Sequence, residues 1–576
     1  MCGIIGYVGE QEAYPLLFSG LQRLEYRGYD SVGICTQHQQ QLHLCKKKGR
    51  VETIRSLTLP GTIGIGHTRW STHGKPADEN AHPFLNQSSQ FAIAHNGIIE
   101  NYLELKEELR KEGILFSSET DSEVIVHLIA KNYHGDLKNA VLTVLPKLQG
   151  AYAFCVLHHE TEKIIGARNG SPLIIGIGQN ENFLASDVSA VVEHTRKVMY
   201  LNDFHIAAIT ADHANVYNFQ GEEVPLEVHE VNWNLEQAQK QGYKHFMLKE
   251  IFEQPQVVEE QLKVRFTIPQ KPSRIHLVAC GGASYAALLG SYLIEKIAGI
   301  PVMFNLGSEF RYRNPVILPQ DLVIIISQSG ETADTLAAIR LAQEKGARTL
   351  GFVNVVGSTI ARQADTVVYT RAGPEISVAS TKAFLAQVIS MYQVAFCLAG
   401  KEFQFPGYRS IVEQLLTLNA SIRALAQKYY LAKNFIYIGR NRNFSIALEG
   451  ALKLKEIAYI HAEAYPAGEL KHGPLALVSE EMPTVAICPQ DEFYDKTFSN
   501  IQEIKARGGK VISLATAGDE KITHVSDDII FLPKVDPLLY PLVETVPVHL
   551  FAYHLADLKE CDIDQPRNLA KSVTVE

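Results

Sequence analysis

The sequence is poor in the features that mark secreted, membrane-spanning or metal-binding chains. Its eight cysteines (Cys2, Cys35, Cys45, Cys155, Cys280, Cys397, Cys488 and Cys561) include no CxxC pair. That argues against a zinc knuckle or thioredoxin-type site and suits a reducing compartment. No basic segment followed by an apolar run opens the chain, so no secretory signal is read and the cytoplasm is the expected location. No apolar run approaches the roughly 20 residues a membrane span needs. The most apolar long tract, Phe384 to Gly400, is interrupted by Gln387 and Gln393 and reads as a buried helix. Positive charge is not in excess: 54 Lys and Arg stand against 63 Asp and Glu, a net of −9. Such a chain is a poor match for nucleic acid. No GxxxxGK[ST] occurs, so a nucleotide P-loop is unsupported.

What is present is folded, multidomain protein. The 576 residues are 46% hydrophobic and 20% charged, and at roughly 100–200 residues per domain they make about three to five domains. The first 240 residues read as α+β. Ile4–Val8, Phe91–His95 and Ala151–Leu157 are expected strands, and 101–112 and 122–132 expected helices, the second capped by Asp121. Polar, helix-compatible sequence from Trp233 to Pro255 reads as a hinge. From about Arg274 the texture is β-α-β, and it repeats. Ile275 and Ile324 are 49 positions apart, as are Ile436 and Val485, which predicts two copies of one α/β unit. The copies differ at one turn, Ser327-Gln328-Ser329-Gly330-Glu331-Thr332 against Cys488-Pro489-Gln490-Asp491-Glu492-Phe493, so they are expected to do different jobs.

Three places carry chemistry. Removal of Met1 would leave Cys2 with a free α-amine, whose ordinary pKa of about 7.7–8.0 lets it accept the thiol proton near neutrality. A plain buried cysteine in a first strand is the alternative. The SQSGET turn offers hydroxyls, backbone N–H groups and a helix start to a phosphate, or is simply a capping turn. Lys453 and Glu456, three apart, share one helix face, as a catalytic pair or a solvated ion pair.

Five segments occur in order: Cys2-Gly3-Ile4-Ile5-Gly6, Tyr26-Arg27-Gly28-Tyr29-Asp30-Ser31, Gly66 to Gly74 (GHTRWSTHG), His95-Asn96-Gly97 and Glu119-Thr120-Asp121-Ser122-Glu123. Together they resemble the N-terminal-nucleophile (type 2) glutamine amidotransferases. SQSGET in its repeated unit resembles sugar isomerase (SIS) domains. Glu449 to Glu456, His461 to Ala464, Gly468 to Pro474 and the last thirteen residues from Asp564 resemble the isomerase half of the glucosamine-6-phosphate synthase family.

The resemblance implies a four-layer α/β/β/α glutaminase (1–240), a linker (241–265), two doubly wound α/β SIS domains (266–415 and 416–566), and a tail (567–576) closing the sugar site. It implies L-glutamine and fructose 6-phosphate as substrates, glucosamine 6-phosphate and glutamate as products, and internal transfer of ammonia. Cys2 would be the nucleophile, with Asn96 and the Gly97 N–H as oxyanion hole. Arg69 would take the glutamine carboxylate and Asp121 its ammonium, with His73 and Trp70 beside it and Trp70 gating the ammonia path. Ser327, Gln328, Ser329 and Thr332, with Ser284, Val378 and Ser380, would hold the sugar phosphate. His472 would open the ring, Lys571 form an imine at C2, Glu456 move a proton between C1 and C2, and Lys453 assist. His67, His82 and His95 are expected to be structural. The family uses no metal or organic cofactor, and no metal-ligand spacing is read here. A homodimer follows, with His472 serving the neighbouring subunit, and no nucleic-acid or membrane partner.

One departure stands out. The family has Cys-Gly-Thr-Ser-Tyr after the first strand of the first sugar domain, whereas this chain has Cys280-Gly281-Gly282-Ala283-Ser284-Tyr285. An ungapped match replaces Thr and Ser by Gly282 and Ala283, while a one-residue shift restores Ser284-Tyr285. Both alignments stand at this level. The rival enzymes lack their loops: no SGGxDS of an asparagine synthetase and no phosphoribosyl-pyrophosphate loop is found. A phosphosugar-binding regulator with a decayed catalytic set is disfavoured by the joint presence of Cys2, Glu456, His472 and Lys571.

Overall fold

A computed structural model describes residues 2–231 and 240–574. They form two compact units. One gathers residues 2–231 with Glu331–Ala333 and the tail from Ala570, and the other gathers residues 240–330 and 334–569.

In the first unit, alternation along the strands decides the layering. Gly3–Gly9 lies inside an eight-stranded sheet, antiparallel to Ile63–Arg69 on one side and Glu181–Ala185 on the other. Ile5 and Tyr7 face the core under the helix Ala13–Leu24, while Ile4 and Val8 face the opposite way. A six-stranded sheet contains Phe91–Gly97, Tyr152–His158 and Ile164–Asn169. Its Phe91 and Ile93 pack with the helices Glu123–Lys131 and Leu137–Val144. Its Ala92 and Ala94, with Ala153 and Cys155, join Ile4 and Val8 in the core between the sheets. Short side chains there let the sheets close on each other, giving helix, sheet, sheet, helix. This is the four-layer glutaminase arrangement.

One capping expectation fails. Ser122, not Asp121, holds the N-cap position of Glu123–Lys131 and makes no side-chain cap bond. Asp121 is buried, and its Oδ2 accepts the Ile99 N–H at 2.8 Å. An enclosed carboxylate is satisfied by a backbone donor arriving from another element rather than by its own helix.

The second unit holds two five-stranded parallel sheets of identical strand order. The first runs Val302–Leu306, Ile275–Ala279, Leu322–Ser327, Arg348–Val353, Thr366–Tyr369, and the second His461–Pro466, Asn434–Gly439, Thr484–Ile487, Val511–Thr516, Asp528–Leu532. Near-continuous apolar strands such as Leu322–Ser327 suit burial on both faces. The repeat read from spacing is therefore a repeat of fold. The copies meet where the helix Gly282–Ala298 packs on Arg442–Ala458. The apolar tract forms the helix Lys382–Leu398, buried almost all round. Among the described residues no helix is long and apolar enough to cross a membrane.

Residues 233–239 of the expected hinge lie outside the described residues. Beyond them, the helices Phe246–Phe252 and Gln254–Leu262 bury Met247, Ile251 and Val258 in the main core of this unit. The Asp564 carboxylate accepts the Phe246 and Met247 N–H groups at 2.9 and 3.0 Å, and its carbonyl accepts the Val378 N–H at 3.0 Å.

The SQSGET turn depends on one glycine. Gly330 has φ +67°, and its N–H donates to Ser327 Oγ at 3.0 Å. A Cβ there would lie 2.1 Å from Ser358 Oγ. Gly400, at φ +71°, has open space instead. Gly400→Ala should therefore cost about 1–2 kcal/mol for the left-handed backbone alone, and Gly330→Ala clearly more. Denaturant unfolding of the two variants checks the difference, and equal midpoints would contradict the steric argument.

Candidate active site

The first cluster forms where Gly3–Gly9 begins. The half-buried Cys2 is held from two directions. Trp70 donates its backbone N–H to Cys2 Sγ at 3.2 Å, and Asn96 donates its Nδ2–H to the Cys2 carbonyl at 3.0 Å. Strand pairing is the cause: Gly3 lies opposite Thr68, which brings the Arg69-Trp70 end of Ile63–Arg69 to the cysteine. Removal from water pushes the Cys2 thiol up, opposed in part by the Trp70 N–H and the Arg69 guanidinium. Ser71 N–H is fixed by Asp30 Oδ2 at 2.8 Å, so the YRGYDS segment buttresses the loop after Trp70.

Arg69 is buried and turns its guanidinium onto the 73–75 loop. Nη2 donates to the His73 and Gly74 carbonyls, the latter at 3.0 Å. His73 is half-buried, edge-on to Tyr102 at 5.3 Å. Asp121 acts electrostatically on Arg69, so those two and Cys2 belong to one cluster. Gly97 closes the strand that carries Asn96.

Behind Asn96 lies a layer of histidines. His67 Nε2 is 3.0 Å from Asn96 Oδ1 and 2.9 Å from the His95 carbonyl. Both partners accept, so Nε2 carries the proton and fixes the Asn96 amide with its Nδ2–H toward Cys2. Burial pushes the His67 pKa down to about 3, so the ring is neutral at physiological pH. His67 stacks on His82 at 4.1 Å, and His95 Nδ1 meets Ser122 Oγ at 2.7 Å. His67 therefore acts on Asn96 directly, a link that sequence separation hides.

The second cluster lies where the two SIS copies meet. Lys453 is 1% exposed and sits between two carboxylates of its own helix, Glu456 Oε2 at 2.5 Å and Glu449 Oε1 at 3.4 Å. Burial alone would discharge it, but Glu449 and Glu456 outweigh that and raise its pKa above the ordinary lysine value. The Lys453–Glu456 pair is thus enclosed rather than solvated. Tyr285 of the CGGASY segment acts electrostatically with Glu449, Lys453 and Glu456. Glu449, which the sequence reading left without a role, is the deepest member of the cluster.

The remaining residues are placed as follows. Ser327 is buried at its strand end, with Gln328 accepting the Asn354 N–H through its carbonyl at 3.1 Å. Ser380 Oγ is buried without a hydrogen-bond partner, and Val378 is tied to Asp564. Ser284 is buried and its Oγ donates to the Gly281 carbonyl at 2.6 Å, so that hydroxyl proton is already engaged. Ser329 is half-buried, and His472 is exposed at the end of the 3-10 turn Ala467–His472. Thr332 and Lys571 group with the first unit, where the Ala333 N–H donates to the Val573 carbonyl at 3.1 Å. Lys571 is half-buried, and Ser572 and Thr574 are buried.

The second copy's turn explains why the copies differ. Glu492 accepts both Nη groups of the buried Arg442 at 2.9 Å, and Asp491 takes Asn443 Nδ2 and the Phe493 N–H at 3.0 and 2.8 Å. This turn is filled by its own carboxylates. In the first unit, His158, His159 and Glu160 place ligand atoms within 4.8 Å of one another.

These two clusters define a glutamine amidotransferase joined to a doubled phosphosugar fold, and comparison with known proteins agrees. The family described as SIS domain matches residues 268–396 and 428–558, and that described as glutamine amidotransferase domain matches 67–193. Glutamine–fructose-6-phosphate aminotransferases (isomerizing) of Aquifex aeolicus and Thermus thermophilus are 50% and 48% identical, each alignment covering all of both chains. The solved C-terminal domain of glucosamine-fructose-6-phosphate aminotransferase from Francisella tularensis is 39% identical, with a TM-score of 0.54, and covers 57% of this chain and 100% of its own. The chain belongs to the glutamine–fructose-6-phosphate aminotransferase (isomerizing) family and is an enzyme.

The raised Cys2 thiol gives a pH test. In protein that retains Met1, alkylation of Cys2 by iodoacetamide should rise about tenfold per pH unit while the thiol is mostly protonated. The rise should continue past the ordinary thiol value of 9.0. Mass spectrometry of the Cys2 peptide reads the rate, and a plateau below that value would refute the assignment.

Proposed function

We propose that this chain performs its family's reaction at two centres, each using the residues described above. The reaction takes L-glutamine and fructose 6-phosphate to glutamate and glucosamine 6-phosphate. The observation that carries the reading is the fixing of Cys2 from both sides, its thiol by Trp70 and its carbonyl by Asn96.

At the first centre, Arg69 and Asp121 hold the charged ends of glutamine, with His73 beside them. The Cys2 thiolate attacks the side-chain amide once the free α-amine left by Met1 removal has taken its proton. Asn96 Nδ2–H and the Gly97 N–H receive the oxyanion. Ammonia leaves and water hydrolyses the thioester. Ammonia is delivered internally, past Trp70, because free in water it becomes ammonium and loses the lone pair that attacks carbon.

At the second centre, the SQSGET hydroxyls and backbone, with Ser380 and the 378 loop, hold the phosphate. His472 assists ring opening, and its exposure supports service to the site of a second copy in a homodimer. Lys571 holds C2 as an imine until ammonia displaces it. Glu456 then moves a proton between C1 and C2, with Lys453 keeping its charge balanced. Eight free cysteines support a reducing, cytoplasmic setting.

The defining experiment is formation of glucosamine 6-phosphate from glutamine and fructose 6-phosphate. Cys2→Ala should reduce glutamine hydrolysis to background while fructose 6-phosphate affinity stays within about twofold, since thiol chemistry and sugar binding use different residues. Retained hydrolysis, measured on the same preparation as sugar binding, would remove Cys2 from the mechanism.

Lys571 has a separate test. The tail is anchored at Val573, as an imine-forming lysine requires. Borohydride added with fructose 6-phosphate should trap a sugar adduct on Lys571. Peptide mapping that finds the adduct on Lys453, or on no lysine, would overturn the assignment.

A further inference from the structure

We infer that His549 and Gln254 are positioning residues for the isomerase centre, acting through Glu449 on the Lys453–Glu456 pair. The inference rests on the reading of Glu456 as the group that moves the C1–C2 proton.

Gln254, His549, Glu449 and Lys453 form one buried line across three helices, and it ends at Glu456. Gln254 opens the helix Gln254–Leu262, and its Nε2 lies 3.2 Å from His549 Nδ1. His549 belongs to Tyr540–Leu558, and its Nε2 lies 3.1 Å from Glu449 Oε1. Glu449 reaches Lys453, and Lys453 reaches Glu456. Gln254, His549 and Glu449 are each 0% exposed, so water does not compete for these bonds. The ring is also held in place, with Phe384 edge-on at 5.8 Å.

Chemistry fixes the direction. A carboxylate only accepts, so His549 Nε2 carries the proton, and Nδ1 accepts from the Gln254 amide. The charged groups acting on the ring are Glu449, Lys453 and Glu375, and burial keeps the ring neutral. Every group in the line has one donor–acceptor assignment.

The relay matters because Lys453 is shared. Its ammonium lies closer to Glu456 than to Glu449. Glu449 Oε2 has no hydrogen-bond partner, and it lies 3.0 Å from where a Cβ on Gly282 would be. His549 supplies the neutral donor to Glu449. Without it, the buried carboxylate has Lys453 as its remaining strong donor and draws the ammonium away from Glu456. Glu456 then loses the counter-charge that sets its position and basicity beside the sugar. Displacements of about 1 Å at such a group can cost about a hundredfold in rate.

Gln is the informative replacement for His549, because its amide offers a donor and an acceptor on one planar group. Leu fills similar space with neither. For glucosamine 6-phosphate formation, His549→Leu should lower kcat about tenfold to a hundredfold. KM for fructose 6-phosphate should stay within about twofold, and His549→Gln should recover kcat to within about threefold of the unaltered enzyme. Gln254→Leu breaks the line at its far end and should lower kcat in the same sense by about threefold.

The decisive readout is exchange of deuterium out of C1 of C1-dideuterated fructose 6-phosphate, to C2 of the product or to water, which reports the proton transfer assigned to Glu456. It should fall with kcat in His549→Leu and return in His549→Gln, while sugar affinity is unchanged. Equal behaviour of the Leu and Gln variants, or a raised KM with kcat intact, would overturn the relay. If His549→Leu fails to fold, Gln254→Leu decides: unchanged kcat and exchange would overturn the proposal. A Glu456→Gln enzyme that still moves deuterium out of C1 at the unaltered rate would overturn the Glu456 reading and the relay with it. Product with exchange, insensitive to these substitutions, would overturn the relay alone.

Discussion

A lysine ammonium out of reach of water constrains the second unit more than any other single group. Lys453 keeps its charge only because Glu449 and Glu456 lie one turn to either side. Removing one member of such a buried set typically costs about 3–5 kcal/mol, because the survivor is left charged and unpaired. Three helices are bound by that requirement. Arg442–Ala458 supplies all three charges, Tyr540–Leu558 brings the donor that Glu449 needs, and Gly282–Ala298 begins where a side chain would crowd Glu449. The junction of the two SIS copies is therefore an electrostatic junction as well as an apolar one.

The first unit solves a different problem with less charge. Its proposed nucleophile must be reachable by a small zwitterion yet closely aimed. Cys2 is aimed by strand register, and Asn96 by a neutral histidine, His67. Burial that drives His67 to about pKa 3 is what makes it dependable: at physiological pH it has no second protonation state to exchange with. A neutral donor can orient the Asn96 amide without adding a positive charge beside the proposed oxyanion hole.

Much of this was legible in the sequence wherever the signal is local. Alternation marked Ile4–Val8 and Phe91–His95, equal spacing marked the repeat, and ordered motifs marked Cys2, Asn96 and the SQSGET turn. The failures share one cause. Asp121 was read as a helix cap because that is the local habit of an aspartate before a helix, but its partner is Ile99, 22 residues back. Glu449 opened a recognised segment but was given no role of its own. Its partner His549 is 100 residues away, and the partner of His549 is 295 residues away. The CGGASY segment could be aligned two ways from sequence, and the fold shows Ser284 Oγ bonded to the Gly281 carbonyl, a local bond that no motif implies. Periodicity and motif spacing report what a residue type usually does, while burial and long-range partners decide what it does here.

The acid-filled turn of the second copy has a consequence for how a duplicated fold can specialise. Glu492 occupies Arg442 with the same two-oxygen geometry a phosphate would use, but it is attached to the chain. A tethered carboxylate acts at an effective concentration that a free anion reaches only in the millimolar range or above. It needs no affinity of its own to exclude a competitor. The second copy's turn is thus filled by its own side chain, which leaves the SQSGET turn of the first copy as the one proposed for the sugar phosphate. Its strands and helices form a fixed wall carrying Lys453 and Glu456, so on the proposed reading one fold serves once as receptor and once as scaffold.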